Sequence, residues 1–115
     1  MRRILEELTG KKWPSTRPGF MRRASTGRCL EMDAFCPGLA LAFEFQGQQH
    51  YEHTPCFHGT FSEFERQVDR DRETYLLARS AGVRIMEVDG RLYDHTDEPK
   101  MRAFLRDVLY ELNIL

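Results

Sequence analysis

Glu31, Asp33 and Glu44 are the side chains of this sequence whose type and spacing point most directly to chemistry. They lie in LEMDAFCPGLALAFEFQGQQHY, residues 30–51, which reads as two strands joined at Pro37-Gly38. Side chains alternate along a strand, so Glu31 and Asp33 share one face while Leu30, Met32 and Ala34 take the other. In the second strand Leu39, Leu41, Phe43 and Phe45 form an apolar row, and Ala40, Ala42, Glu44 and Gln46 form the opposite one. With a two-residue turn between Cys36 and Leu39, Glu31 stands opposite Glu44 and Asp33 opposite Ala42. All three acids and Gln46 then project together. Like charges across a ladder are destabilising, and three of them raise at least one pKa unless a cation compensates. Mg²⁺ (or Mn²⁺) suits such a site, because it is held by one or two carboxylates plus waters and phosphate oxygens. The alternative is an ordinary outward face whose acids are solvated or paired with arginines.

A second cluster follows at once. His50, His53, Cys56 and His58 fall at intervals that a zinc ion accepts, but structural zinc sites usually come as two separated pairs and this is a single run. A short third strand leading into a loop with one useful histidine is the preferred reading, and a zinc-stabilised binding domain is the competing one.

Several elements must position these groups. Residues 2–9 read as a short helix with Ile4, Leu5 and Leu8 on one stripe, which leaves Glu7 as the acid best able to reach a neighbouring site. The segment 13–27, WPSTRPGFMRRASTG, reads as a loop whose arginines and Trp13 suit a polyanion or are simply mobile. Thr60-Phe-Ser-Glu63 is a capping box opening a helix over 61–81, with Phe61, Phe64, Val68, Tyr75 and Ala78 as its buried stripe. Asp71 lies on that stripe and Gln67 one turn before it, so Asp71 is either paired with an arginine or aimed at a site. Gly82 ends this helix, and VRIMEVD (83–89) follows as a strand that is partly apolar on both faces. Residues 97–113 carry Met101, Phe104, Leu105, Val108, Leu109 and Leu112 at helical spacing, with Pro99 in the first turn. This order predicts an α/β fold: a mixed central sheet flanked by helices, closed by an amphipathic C-terminal helix.

The chain of 115 residues holds one domain, 1–115, with a basic amino-terminal arm over 1–28. Its 41% hydrophobic and 30% charged residues are those of an ordinary soluble globular protein. No apolar run reaches membrane-span length and the start lacks a signal-peptide core, so an intracellular setting, cytoplasm or nucleus, is expected. Three cysteines without CxxC spacing argue against a disulfide framework. The net charge of −1 conceals an asymmetry, +6 over residues 1–30 and −7 over the remainder. Lys11, Lys12, Arg17, Arg22 and Arg23 are therefore candidate phosphate contacts, with a solvated basic terminus as the other reading.

The block LEMDAFCPGLALAFEFQGQQHY, continued by FSEFERQVDRDRETY and AGVRIMEV, resembles the PD-(D/E)XK nuclease superfamily. Within it the chain is most similar to small nucleases related to very-short-patch repair endonucleases. The resemblance covers most of the chain and implies a restriction-endonuclease-like αβββαβ core. It makes Asp33 the counterpart of the metal-binding aspartate and Glu44 that of the motif acid, with the backbone carbonyl of Phe45 as a further ligand. His50 takes the place of a histidine assisting proton transfer or leaving-group stabilisation, and Glu7 that of an amino-terminal helix glutamate. Glu31 becomes a neighbour that supports the pair.

There are two departures. Gln46 stands where the motif has lysine, and the helix reads Arg70-Asp71-Arg72-Glu73-Thr74, without a lysine to replace it. The expected activity is metal-dependent DNA hydrolysis by nicking or structure-selective cleavage, since so small a domain has little room for base readout. A homodimer or larger complex would be needed for sequence specificity. The competing expectation is a nuclease fold without catalysis that binds nucleic acid or protein.

Overall fold

Sequence pattern and backbone agree closely in the helices. The computed structural model describes residues 1–47, 61–93 and 96–115, and all statements below concern those. Helix α1 (Arg2–Thr9) buries Ile4 and Leu5 and stops at Gly10 in the left-handed conformation. Helix α2 spans Phe61–Ser80 and helix α3 spans Glu98–Glu111. Helix α3 begins as its sequence requires: the Asp97 side chain accepts from the Lys100 N–H, and Pro99 occupies the first turn, where it costs no hydrogen bond. Thr60 of the capping box, the expected third strand and the histidine-rich run lie outside the described residues. The αβββαβ order is therefore followed only in part.

Three strands form a mixed sheet in the order β1-β2-β3: β1 (Ala34–Cys36), β2 (Leu41–Gln46) and β3 (Arg84–Asp89). β1 runs antiparallel to β2, and β3 runs parallel to β2. A parallel neighbour needs a crossover, which α2 supplies. Gly82, at φ 76°, provides the left-handed turn between them.

The hairpin register differs from expectation. Pro37–Leu39 form a 3₁₀ turn and Ala40 is left-handed, so four residues rather than two join the strands. Pro-Gly does not adopt the primed turns that close a two-residue hairpin, and the longer turn results. Ala34 then faces Phe43, and Phe35 faces Ala42. Extending that register sets Asp33 beside Glu44, where the shorter turn would have set Glu31. Parity is preserved, so the acids still share a face.

The sheet is covered on both sides. Toward α1 and α3, Leu41 and Phe43 pack with Trp13, Ala34, Val88, Leu105 and Leu109. Toward α2, Ala42 and Phe35 pack with Met21, Met32, Ala78 and Val83. Trp13 is fully buried, edge-on to Phe43 at 5.7 Å, and its indole N–H donates to Thr9 Oγ1. It is core and not a contact for a polyanion, contrary to the sequence expectation. The segment 13–27 is likewise no free loop: antiparallel bridges Thr16–Met32 and Arg22–Cys29 tie it to the residues before β1. Tyr75, expected in the buried stripe of α2, is 37% exposed because the sheet beneath it has turned polar. Among the described residues no helix is long and apolar enough to cross a membrane.

Candidate active site

Along the α2 side of the sheet, the row Phe35–Ala42–Ile85 is apolar, the next row pairs Glu44 with Glu87, and Asp33 lies at the bend just before β1. β2 changes character within two residues. Asp33 and Glu44 are locked together by the backbone: the Asp33 N–H donates to Glu44 Oε1 at 3.3 Å, and the Phe45 N–H donates to Asp33 Oδ2 at 3.0 Å. Glu44 is only 7% exposed. Burial first, and the adjoining Asp33 second, push its carboxyl up to about 9, with Glu31 adding to the effect.

This pair floors a cleft of about 230 Å³ between β2 and α2, lined also by Leu30, Glu31, Phe45 and Gln46. The opposite wall is one face of α2, comprising Arg70, Asp71, Thr74 and Tyr75. Asp71 lines the cleft, while Gln67 is half-buried on the same helix outside the cleft lining. Arg70, Thr74 and Tyr75 were not singled out from sequence, although the helical intervals from Asp71 to Thr74 and Tyr75 were available.

Gln46 is buried in the same wall as Glu44, and its Oε1 has no hydrogen-bond partner among the described residues. A buried acceptor without a donor costs about 1–3 kcal/mol. Gly90 holds this end of β2 in place. Its N–H donates to the Gln46 carbonyl at 2.7 Å, and a Cβ there would lie 2.8 Å from that oxygen and 2.7 Å from the Phe45 ring.

Other expected site residues lie elsewhere. Glu7 is on the exposed seam between α1 and α3, gripped by Arg3 and Arg102, and is not among the residues lining this cleft. An acid beside two arginines is neutralised where it stands. Glu31 lines the cleft but is bound by Ser15 Oγ at 3.0 Å and Arg17 at 3.3 Å. Arg17 also donates to the Cys29 carbonyl, Arg22 to the Gly27 carbonyl, and Arg23 pairs with Glu73 of α2 at 2.8 Å. Arg23 ties the amino-terminal segment to α2, Arg17 ties it to the residues before β1, and Arg22 bonds within the segment. Lys11 and Lys12 are exposed, away from the cleft. His50 falls outside the described residues, as do His53, Cys56 and His58 of the zinc reading.

The donor set suits a hard divalent cation. Asp33 and Glu44 offer oxygen donors only, and burial together with the adjoining Asp33 holds the Glu44 carboxyl above its ordinary range, a shift that a bound cation would oppose. Among the described residues no group of three or more His, Cys, Asp or Glu side chains could hold a metal. Any ion here would rest on the pair and the backbone, as Mg²⁺ commonly does with waters completing its shell.

No family model matches the chain, and no solved structure matches it. It is 32% identical over 103 residues to uncharacterized protein 094L of Frog virus 3 (isolate Goorha), covering 89% of this chain and 63% of that protein. It is 36% identical over 87 residues to uncharacterized protein 033L of Invertebrate iridescent virus 3, covering 76% of this chain and 45% of the relative. With uncharacterized protein 307L of Invertebrate iridescent virus 6 it shares 32% identity over 77 residues, 63% of this chain and 39% of the relative. The chain thus spans between 39% and 63% of the length of these viral proteins, and its similarity to them is confined to that part.

Proposed function

We propose that this chain is a metal-dependent endonuclease domain with a restriction-endonuclease-like core, which hydrolyses phosphodiester bonds in DNA. The observation that carries the reading is the Asp33–Glu44 pair, a half-buried and a buried carboxylate tied together through backbone N–H groups at the floor of a polar cleft. Folding such a pair is unfavourable without a compensating cation, and a site that keeps it has a use for one. Asp33, Glu44 and the Phe45 carbonyl would hold Mg²⁺ or Mn²⁺. When bound, that ion supplies a lowered pKa for water and charge stabilisation at the scissile phosphate.

The chain's own groups do the rest. Gln46 lines the cleft beside Glu44, and its Oε1, unpartnered among the described residues, would orient the attacking water by accepting a hydrogen bond from it once the amide turns into the cleft. The backbone N–H of Phe45 fixes the Asp33 carboxylate against β2, so the ligand is oriented before substrate arrives. Thr74 and Tyr75 close the α2 side of the cleft.

The test is incubation of the protein with supercoiled, nicked, branched and single-stranded DNA in Mg²⁺ or Mn²⁺, beside Asp33→Ala and Glu44→Ala. Each variant should lose at least about a hundredfold in cleavage rate. Cleavage that persists in both variants would sink the site. One observation favours a second reading, a nuclease fold that binds nucleic acid without cutting it. No lysine lines the cleft, and Gln46 occupies the motif position. Retained DNA binding with no cleavage of any substrate would establish it.

A further inference from the structure

Asp33 does not face one cleft alone. With Phe45 it also lines a second, more open cleft of about 500 Å³, whose other walls are Met1, Arg2 and Ser15. The two clefts therefore meet at Asp33, one opening toward α1 and the other toward α2. Each contributes one arginine, Arg2 in the first turn of α1 and Arg70 on α2.

Among the described residues these are the arginines that line the two clefts. Arg3, Arg17, Arg23, Arg91 and Arg102 are all committed to ion pairs. Arg2 and Arg70 are exposed and enter no ion pair among the described residues. Arg70 shares its cleft with Glu31, Asp33, Glu44 and Asp71, and Arg2 shares its own with Asp33, yet among the described residues neither is taken up in an ion pair there. A DNA strand delivering a phosphate to Asp33 and Glu44 also meets repulsion at the floor, so attraction must come from the flanks. Arg17 and Ser15 already occupy the Glu31 carboxylate, which removes one acid from the path. Lys11 and Lys12, though exposed and basic, line neither cleft.

We infer that Arg2 and Arg70 grip phosphates on opposite sides of the one that reaches Asp33, so that a DNA strand crosses the protein from α1 to α2 over the end of the β1–β2 hairpin. This rests on the reading of Asp33 as the reacting position and adds the direction of the strand. Both guanidiniums act on the backbone, so the grip carries no sequence preference.

Binding without cleavage tests the path directly. The full chain is titrated in EDTA with a fluorescein-labelled oligonucleotide of about twenty nucleotides, single-stranded or duplex, across about 50–200 mM salt. Arg2→Ala and Arg70→Ala should each lower the slope of log K against log salt by about 0.7 for the single strand and about 0.9 for the duplex. At 0.1 M salt each loses about fivefold in affinity for the single strand. The double variant loses both increments, Arg70→Lys regains most of its own, and Arg106→Ala on α3 leaves affinity and slope unchanged. No DNA binding by the wild type, or Arg2 and Arg70 variants that behave like Arg106→Ala, would overturn the path. Tighter binding of RNA of the same sequence would overturn DNA as its ligand. Repeating the series in Mg²⁺ separates the two claims. Cleavage with arginine-independent binding removes the path and keeps the nuclease, and arginine-dependent binding with no cleavage does the reverse.

Discussion

On the face toward α1 and α3, β2 presents Leu41, Phe43 and Phe45 in succession, and apolar packing runs the length of the strand. On the face toward α2 the same strand presents Ala42, Glu44 and Gln46, so apolar packing ends after one row and a cleft begins. The strand is the same and so is its backbone; only the parity of the side chains differs. The two faces divide the work, since a face that buries carboxylates without a bound cation opposes folding and the other face must offset it.

The largest effect should come from breaking the apolar face. Phe43 is fully buried against Trp13, and truncating a buried aromatic costs about 3–5 kcal/mol. Urea unfolding of Phe43→Ala should show a loss of about that size, a large part of a small domain's stability. A loss below about 1 kcal/mol would mean that the α1–α3 face is not what holds the sheet.

The polar face should respond in the opposite direction. Glu44 keeps its proton in the folded chain up to about 9, whereas the unfolded chain releases it near 4.5. Between those values the folded state binds more protons, so with chelator present stability falls as pH rises through the window and levels off above it. Glu44→Gln mimics the protonated form and removes the decline. At pH 8 in EDTA this variant should be more stable than wild type by about 2–4 kcal/mol, with the gap closing toward pH 5. Mg²⁺ should then stabilise the wild type and not the variant, and more at pH 8.5 than at pH 6, because the ion must displace a proton. A Glu44→Gln curve parallel to wild type from pH 5 to 9 would deny the burial argument.

Local signals carried much of this. The amphipathic spacing of α1 and α3, the Gly82 stop and the alternation of β2 were legible because each depends on near neighbours in the sequence. The sharing of a face by Asp33 and Glu44 was legible for the same reason, since a shift of the turn changes partners without changing parity. What was not legible depends on distant contacts. Trp13 in a segment rich in Pro, Gly, Ser and Thr looks exposed until Phe43 is known to lie against it. The bonds of Arg17 to Glu31 and Arg23 to Glu73 join residues 14 and 50 positions apart, which no local pattern announces. Tyr75 sits at a core interval, yet the sheet row it overlies is acidic.

Glu7 gives the finest test of the division between faces, because it and Glu44 are both acids with claims on the reaction. Glu44 is buried beside another acid, and its proton is held. Glu7 is exposed between Arg102 and Arg3, and hydrogen bonding from Arg102 above all holds its carboxyl below the ordinary range. Its sign is therefore reversed: whatever Glu7 adds to stability is present near neutral pH and lost as acid protonates it. Exposed pairs are screened, so the contribution is small and shrinks further in about 1 M salt. Glu7→Gln should lower the thermal midpoint by no more than about two degrees, an amount that vanishes at high salt. It should leave DNA cleavage and its metal requirement as they are in the wild type. If instead Glu7→Gln keeps its midpoint and loses cleavage, the reaction reaches across to α1, and the seam between α1 and α3 belongs to the site after all.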